Sequence, residues 1–162
     1  MEVGSLSVLL CFVVTVYGGS VENVLSRHVH PGCPLGFVHY RRSCYWFSVV
    51  KGSFVEAHGY CQYLGSHLAT IESRDEDSFI RGHVLRHGKA EKYWLGGTDL
   101  NLEGKWLWEG QRPFGFRNWI PGQPDNWKHH EHCLEIRKHH HHYLWNDFEC
   151  HVPLHFICEK EL

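Results

Sequence analysis

The sequence predicts an α+β fold in which two helices come first and short strands follow. Two segments in the first half of the chain have apolar residues at helical spacing and begin with capping residues. From residue 93 onward, short segments rich in aromatic and β-branched residues predict strands. Six cysteines after residue 32 predict three disulfide bonds in an exported chain.

The N-terminal residues predict a secretory signal peptide over residues 1–20. The apolar run at residues 6–17 is too short to span a bilayer but suits the apolar core of a signal peptide. Because Glu2 is the charged residue before this run and no Lys or Arg precedes it, an uncleaved anchor or a buried N-terminal segment is the alternative. We expect a secreted, extracellular protein with a short segment at residues 21–32 and one domain over residues 33–162.

The first strand is predicted at residues 43–50, with residues 40–42 leading into it, and a helix follows directly. Ser53 and Glu56 have capping-box spacing at the start of this helix, and Gly65 lies just beyond its end. The side chains expected on its buried face are Phe54, Ala57, Cys61 and Leu64.

The second helix uses the same starting device, because Ser73 and Glu76 repeat the capping spacing. Three acidic residues, 75–77, lie in its first turn, where the helix dipole favours negative charge. We expect this helix to bury Phe79, Ile80 and Val84 and to end near Gly88.

The second half of the chain predicts short strands separated by one long irregular stretch. The strands are expected at residues 93–96, 107–109, 133–136, 143–147 and 156–159. Residues 110–132 show no regular periodicity, and a loop of that length in a compact domain is usually functional. We expect that hydrophobic burial alone does not order it.

The cysteines of the domain are Cys33, Cys44, Cys61, Cys133, Cys150 and Cys158, since cleavage of the signal peptide removes Cys11. Six cysteines allow fifteen pairings, among which sequence spacing does not choose. A zinc site is a poorer interpretation because no close C-x-x-C pair is present.

The charge of the chain argues against two classes of partner. The net charge is −2 with histidine neutral, which gives no basic field for nucleic acid or anionic membrane lipid. The content of 7 Trp and 16 His is high for 162 residues and favours binding chemistry instead.

Side-chain oxygens are concentrated in and just after the long irregular stretch. They belong to Gln123, Asp125, Glu131, Asn146 and Asp147. With the backbone carbonyl of Asp147 they supply six ligands, whereas calcium takes six to eight, which leaves one or two positions open. The alternative is that these residues are solvated turn formers.

The quoted residues resemble the long-form C-type lectin domain over almost all of residues 33–160. The matching motifs are Tyr93-Trp94-Leu95-Gly96-Gly97, Asn118-Trp119, Gln123-Pro124-Asp125, Glu131 two residues before Cys133, and Trp145-Asn146-Asp147 before Cys150. The resemblance implies the C-type lectin-like fold and a calcium-dependent carbohydrate-binding protein that is not an enzyme. It implies the disulfides Cys33–Cys44, Cys61–Cys158 and Cys133–Cys150.

The same resemblance implies the roles of the oxygen-bearing residues. Gln123, Asp125, Glu131, Asn146 and Asp147 would bind the calcium ion, and the first four would also hydrogen-bond two neighbouring sugar hydroxyls. Pro124 would follow a cis peptide bond. A second calcium would use Asp99, Glu103 and Asn126, although Asn126 and His132 stand where the family has carboxylates, so that two charges are lost.

The motif Gln123-Pro124-Asp125 resembles that of galactose binders rather than mannose binders. Trp127 matches an aromatic position that packs on the apolar face of the sugar ring, and the alternative is an inward-packed loop anchor. The glycine-rich spacer of strong galactose binders is replaced by residues 128–130 (Lys-His-His). We therefore expect loose selectivity that extends to mannose.

The histidine run His139, His140, His141 and His142 is unusual for this family. It is either a solvated hairpin tip or a patch that binds Zn²⁺ or Cu²⁺. A zinc-dependent enzyme is a remote alternative, because the sequence contains no H-E-x-x-H motif.

Four further runs, at residues 32–37, 42–47, 75–82 and 106–111, resemble lectin-type proteins of mollusc shell nacre. This resemblance implies a role in the organic matrix of shell, with matrix polysaccharide and calcium carbonate as partners. The alternative is a soluble immune lectin that recognises microbial glycans.

Overall fold

The computed structural model describes residues 32–162. The signal peptide expected at residues 1–20 and almost all of the segment expected at 21–32 lie outside the described residues. Within the described part, no helix has the length and apolar character needed to cross a membrane.

Two helices and nine strands make up the described part of the chain. The helices are α1 (Phe54–Tyr63) and α2 (Arg74–His87). The strands are β1 (Val38–Tyr40), β2 (Ser43–Phe47), β3 (His67–Leu68), β4 (Lys92–Thr98), β5 (Leu107–Trp108), β6 (Arg112–Pro113), β7 (Cys133–His139), β8 (His142–Phe148) and β9 (His155–Glu161).

Both helices begin where the capping residues predict. Ser53 Oγ accepts a hydrogen bond from the Glu56 backbone N–H at 3.4 Å, and Glu56 Oε2 accepts one from the Ser53 N–H at 2.8 Å, which completes the capping box of α1. Ser73 Oγ accepts from the Glu76 N–H at 3.3 Å at the start of α2. Local side-chain chemistry therefore positions both helix starts.

The strands form one branched sheet in which β9 joins the two halves of the domain. The order is β1-β2-β9-β4-β5-β6, while β3 also pairs with β9, and β7 pairs with β4 and β8. The β9–β4 pair is parallel, and the other pairs are antiparallel. The predicted strands are all present. The strand expected at residues 43–50 ends at residue 47 because a bend follows, and the strand expected at 107–109 ends at residue 108 because a 3-10 turn (Glu109–Gln111) begins there.

Hydrophobic burial orders one part of residues 110–132 but not the whole stretch, in agreement with the expectation that burial alone does not order it. Phe114 and Ile120 are buried in this stretch, and Phe114 stacks on Trp108 with ring centroids 4.0 Å apart. The stretch also contains β6 and a second 3-10 turn (Trp127–His129). The first half of the loop is thus part of the aromatic core, and the second half is held by polar contacts.

A buried carboxylate connects this loop to α2 and to β8. Asp77, 1% exposed, accepts hydrogen bonds from Trp145 Nε1 at 3.1 Å, Asn118 Nδ2 at 2.8 Å and Arg81 Nε at 2.6 Å. The backbone N–H of Trp145 donates to the Asn118 backbone carbonyl at 2.9 Å, and the backbone N–H of Ile120 donates to the Trp145 backbone carbonyl at 2.8 Å. Because Trp145 directly precedes Asn146 and Asp147, these contacts align the loop with the polar end of β8.

The three disulfides join Cys33 to Cys44, Cys61 to Cys158, and Cys133 to Cys150. These are the pairs that the family resemblance implies. The bond between Cys133 and Cys150 ties the start of β7 to the segment after β8, next to the predicted calcium ligands.

Candidate functional site

Three carboxylates from separate parts of the chain meet at one place, here called the primary cage. Asp125 is exposed in the long loop, Glu131 is 7% exposed just before β7, and Asp147 is fully buried on β8. One oxygen from each lies within 4.8 Å of the others. The β7–β8 pairing produces this meeting, because it brings the end of the loop beside Asp147.

Backbone N–H groups of the loop hold the cage carboxylates. The Asn126 N–H donates to Asp147 Oδ2 at 2.6 Å and the Asp125 N–H to Asp147 Oδ1 at 3.3 Å. The Trp127 N–H donates to Glu131 Oε2 at 3.2 Å. These donors orient the carboxylates without adding a full positive charge, so the cage keeps its excess of negative charge.

The electrostatics of the cage disfavour ionised carboxylates when no cation is bound. Burial raises the pKa of Asp147 above its ordinary value, and the neighbouring Asp125 raises it further. Burial likewise raises the pKa of Glu131, with Asp147, Asp125 and Glu149 adding to the effect. A divalent cation would reverse the balance, since a nearby opposite charge favours the ionised form.

The two amide residues expected at this site are also close to it. Gln123 Oε1 accepts a hydrogen bond from the Asp125 N–H at 3.0 Å, and the Gln123–Pro124 peptide bond is cis. Asn146 is 3% exposed, and its Nδ2 donates to Glu135 Oε1 at 3.0 Å and to the Asp147 carbonyl. The structure therefore brings all five predicted ligands into one neighbourhood.

Glu135 is a residue that the sequence interpretation missed. Its side chain is fully buried on β7 opposite Asn146, and burial raises its pKa to about 7 despite Lys92 Nζ at 3.5 Å. A charged residue between Leu134 and Ile136 in a predicted strand is the signal that could have drawn attention to it.

A second group, here called the His132 cluster, lies beside the primary cage and consists of Asp99, Glu103 and His132. His132 Nδ1 is 3.0 Å from Asp99 Oδ1 and 3.5 Å from Glu103 Oε2. Asn126 Nδ2 donates to Glu103 Oε2 at 2.6 Å, while Asn126 Oδ1 accepts from the Glu131 N–H at 3.0 Å. The amide nitrogen of Asn126 therefore faces this cluster, whereas its oxygen faces the Glu131 backbone. A calcium ligand would point its oxygen toward the cluster.

Trp127 is 54% exposed, so the alternative of an inward-packed anchor is wrong. Lys128 Nζ lies 4.0 Å from the centre of the Trp127 ring, a cation–π distance. Asn126, Lys128 and His129 all have positive φ angles, so the backbone turns tightly on either side of Trp127.

The histidine run forms the turn between β7 and β8. His139 pairs with His142 across the hairpin, and His140 has φ +54° in the turn. Within residues 32–162, groups of three or more His, Cys, Asp or Glu ligand atoms occur at the primary cage and the His132 cluster, and the run is not among them. The arrangement fits the interpretation of a hairpin tip and gives no support for a zinc or copper site there.

Comparison with known families settles the family of the chain. The C-type lectin domain profile matches residues 50–160. The chain belongs to the C-type lectin family. Perlucin of Haliotis laevigata is 65% identical over 130 residues, which cover 80% of this chain and 84% of perlucin.

Vertebrate C-type lectins are more distant relatives. Asialoglycoprotein receptor 1 of Rattus norvegicus is 35% identical over 159 residues, covering 95% of this chain and 51% of the receptor. The chain therefore spans about half the length of that relative. The carbohydrate-recognition domain of the mouse scavenger receptor C-type lectin superposes with a TM-score of 0.72 at 38% identity, covering 80% of this chain and 96% of that domain.

These relatives confirm the C-type lectin fold and identify a lectin rather than an enzyme. The zinc-dependent enzyme is thereby rejected. C-type lectin domains generally bind Ca²⁺ and glycans, and the residues of the primary cage suit that ion, because calcium prefers carboxylate, amide and carbonyl oxygens.

Proposed function

We propose that this C-type lectin binds one calcium ion in the primary cage and grips a sugar through that ion. Gln123, Asp125, Glu131, Asn146 and Asp147 would supply the side-chain ligands. The observation that carries the proposal is the set of three carboxylates held within 4.8 Å of one another by backbone donors, with raised pKa values in the two that are buried. An oxygen-rich site with excess negative charge is what calcium prefers.

The sugar would bind beside the ion, using calcium positions that the protein leaves open. Gln123, Asp125, Glu131 and Asn146 would hydrogen-bond two neighbouring hydroxyls of the sugar. The Gln123-Pro124-Asp125 motif favours galactose-type sugars, and the exposed ring of Trp127 offers an apolar platform for the sugar face. Because Lys128 lies over that ring, selectivity for galactose over mannose is expected to be modest.

A second calcium at Asp99, Glu103 and Asn126 is a weaker part of the proposal. His132 lies against the buried Asp99 carboxylate, and the amino group of Asn126 faces Glu103. Both contacts supply hydrogen-bond donors where an ion would need acceptors. We propose that His132 closes the cluster, which then binds calcium less tightly than the primary cage does.

At the level of the organism, we propose a secreted lectin of the shell organic matrix, which would connect matrix polysaccharide with calcium carbonate. The support is the 65% identity to perlucin over most of both chains. The domain would occupy residues 33–162 after removal of a signal peptide at 1–20. A soluble immune lectin would use the same site residues, and carbonate crystal growth in the presence of the purified protein tests between the two roles.

A glycan array with and without a calcium chelator tests the molecular proposal. We expect galactose-terminated glycans to bind in calcium and to be released by the chelator, with weaker signals from mannose. Binding that is unaffected by the chelator would contradict the role of the cage. Calcium-dependent binding confined to mannose-type glycans would contradict the galactose interpretation alone.

A further inference from the structure

The last two turns of α2 carry two histidines on one face of the helix. His83 and His87 are four residues apart, the spacing at which side chains on a helix are neighbours. Their ring centroids are 5.0 Å apart. Two imidazoles one helical turn apart can bind the same metal ion, as two histidines at this spacing do in zinc proteins.

A third imidazole, that of His155, lines the same groove. The groove has a volume of about 310 Å³ and is lined by both helix histidines, by Phe47 of β2 and by His155 of β9. Its lining contains Lys89 but no carboxylate. Apart from the Ser48 hydroxyl, the side-chain ligands that the groove offers are imidazole nitrogens, which distinguishes it from the calcium cage.

A hydrogen bond to a backbone carbonyl orients the His155 ring in the way that is usual for histidines that bind metals. His155 Nδ1 lies 3.0 Å from the Ser48 backbone carbonyl, so that the Nδ1–H tautomer donates to it. Nε2 then carries a lone pair, and within residues 32–162 it makes no hydrogen bond. Histidines that bind metals typically donate their other ring N–H to a carbonyl or carboxylate in this way.

The helix histidines have no competing polar partner. His83 stacks on Phe47 with ring centroids 3.9 Å apart, and within the described part of the chain neither helix ring forms a hydrogen bond or ion pair. Burial, with the neighbouring His87 and Arg86, lowers the pKa of His83 to about 4. The His83 imidazole is therefore neutral near pH 7, the protonation state that metals require.

We propose that the groove formed by His83, His87 and His155 is a binding site for a divalent transition metal of the Zn²⁺ or Cu²⁺ class. Imidazole suits these ions, whereas calcium and magnesium prefer oxygen. The last turn of α2 adds favourable electrostatics, since helix C-termini stabilise positive charge. Lys89 and Arg86 oppose a cation, and we therefore expect a modest affinity.

The three imidazoles are not yet gathered around one point. Within residues 32–162, the groups with three ligand atoms within 4.8 Å are the two acidic clusters of the loop region. His87 is exposed, so we expect metal binding to draw its ring toward the other two. This adjustment is local and leaves the lectin loop unchanged.

Titration of the purified chain with Cu²⁺ and Zn²⁺, each alone, in millimolar calcium tests the site. The calcium keeps the primary cage occupied. We expect His87→Gln to lower the affinity for both metals by at least about tenfold, the loss that even outer-shell changes cause at metal sites. Nitrogen hyperfine splitting in the Cu²⁺ electron paramagnetic resonance spectrum should show imidazole ligation that weakens in the variant.

The matched control replaces His139, His140, His141 and His142 by Ser, which removes more imidazoles from another surface. We expect this variant to bind both metals in the groove with the affinity of the wild type. Equal metal affinity in wild type and His87→Gln, or loss of binding in the hairpin variant alone, would overturn the proposal. His87 is exposed, so we expect His87→Gln to keep the circular dichroism spectrum and the metal-free Tm of the wild type, which shows that the variant is folded. Adding Zn²⁺ should raise the Tm of the wild type more than that of His87→Gln.

Discussion

The primary cage and the His132 cluster are neighbours, share Asn126 and contain buried carboxylates, yet their charges are balanced differently. In the cage, backbone N–H groups hold Asp147 and Glu131 and leave the negative charge in place. In the cluster, an imidazole lies 3.0 Å from Asp99 and an amide reaches Glu103. Backbone donors leave room for a cation beside the carboxylates, whereas the His132 side chain occupies the position beside Asp99 that a cation would need.

The largest expected effect comes from removing a cage carboxylate. Asp147→Asn should lower calcium affinity by at least about 100-fold and abolish sugar binding, since a ligand contributes at least as much as the outer-shell groups that support it. Isothermal titration with calcium and binding to immobilised galactose measure both effects.

The control is Asp99→Asn, the corresponding change in the His132 cluster. It should change calcium-dependent sugar binding by no more than a few-fold, because Asp99 contacts His132 and the Gly104 N–H rather than the cage. Equal losses from the two variants would show that the clusters act as one site.

Acidification should affect calcium binding next most strongly. Burial and neighbouring carboxylates raise the pKa values of Glu131 and Asp147 in the ion-free chain. The folded ion-free chain then binds more protons than the unfolded chain, so its stability rises as pH falls from these raised pKa values toward the ordinary carboxyl range. The calcium-loaded chain behaves oppositely, because protons displace the ion.

The measurement is Tm with and without calcium from about pH 7 to about pH 5, a range that also covers histidine protonation. We expect the calcium-induced rise in Tm to shrink steadily across it, and sugar binding to fade with it. A rise in Tm that is constant with pH would contradict the assignment of the buried carboxylates as ligands.

Exchanging the polarity of the sugar site should leave the ion in place. Gln123→Glu with Asp125→Asn keeps the number of carboxylates but exchanges acceptor and donor positions around the calcium. We expect the galactose-to-mannose affinity ratio to fall by about tenfold, which corresponds to roughly 1.4 kcal/mol, with calcium affinity nearly unchanged. A glycan array that shows the same preference as the wild type would count against these two residues as sugar contacts.

The smallest expected effect comes from replacing His132, which should allow the His132 cluster to bind calcium. His132→Asp removes the imidazole beside Asp99 and restores a carboxylate, so we expect the calcium stoichiometry to rise from one to two with a weak second site. His132→Gln removes the imidazole without adding charge and should stay at one. A second calcium in the wild-type chain would show that His132 does not close the cluster.

The helices and the ion-binding residues were accessible from the sequence for different reasons. The starts of α1 and α2 depend on contacts between residues three apart, so Ser53 and Ser73 predict them directly. The cage residues are far apart in the chain, and they were grouped by their oxygen chemistry and by resemblance to a family. Neither route required the tertiary contacts to be known.

Other features depend on partners remote in sequence and escaped prediction. Strand β3 has two residues and exists because it pairs with β9, about ninety residues later. Asp77 looked like one of three acids in a helix start, but it is buried and holds Trp145 and Asn118. The role of His132 followed only from its distance to Asp99.

The amino-acid sequence by itself determined the fold class, the helix starts, the oxygen-rich character of the loop and the order of Gln123, Pro124 and Asp125. These depend on local capping or on residue identity, which the chain states directly. The tertiary structure decided which carboxylates can bind a cation. Asp147 and Glu131 receive backbone N–H partners, whereas Asp99 receives the His132 imidazole, and these contacts form only when the chain is folded. The tertiary structure also decided that His83, His87 and His155, from α2 and β9, line one groove.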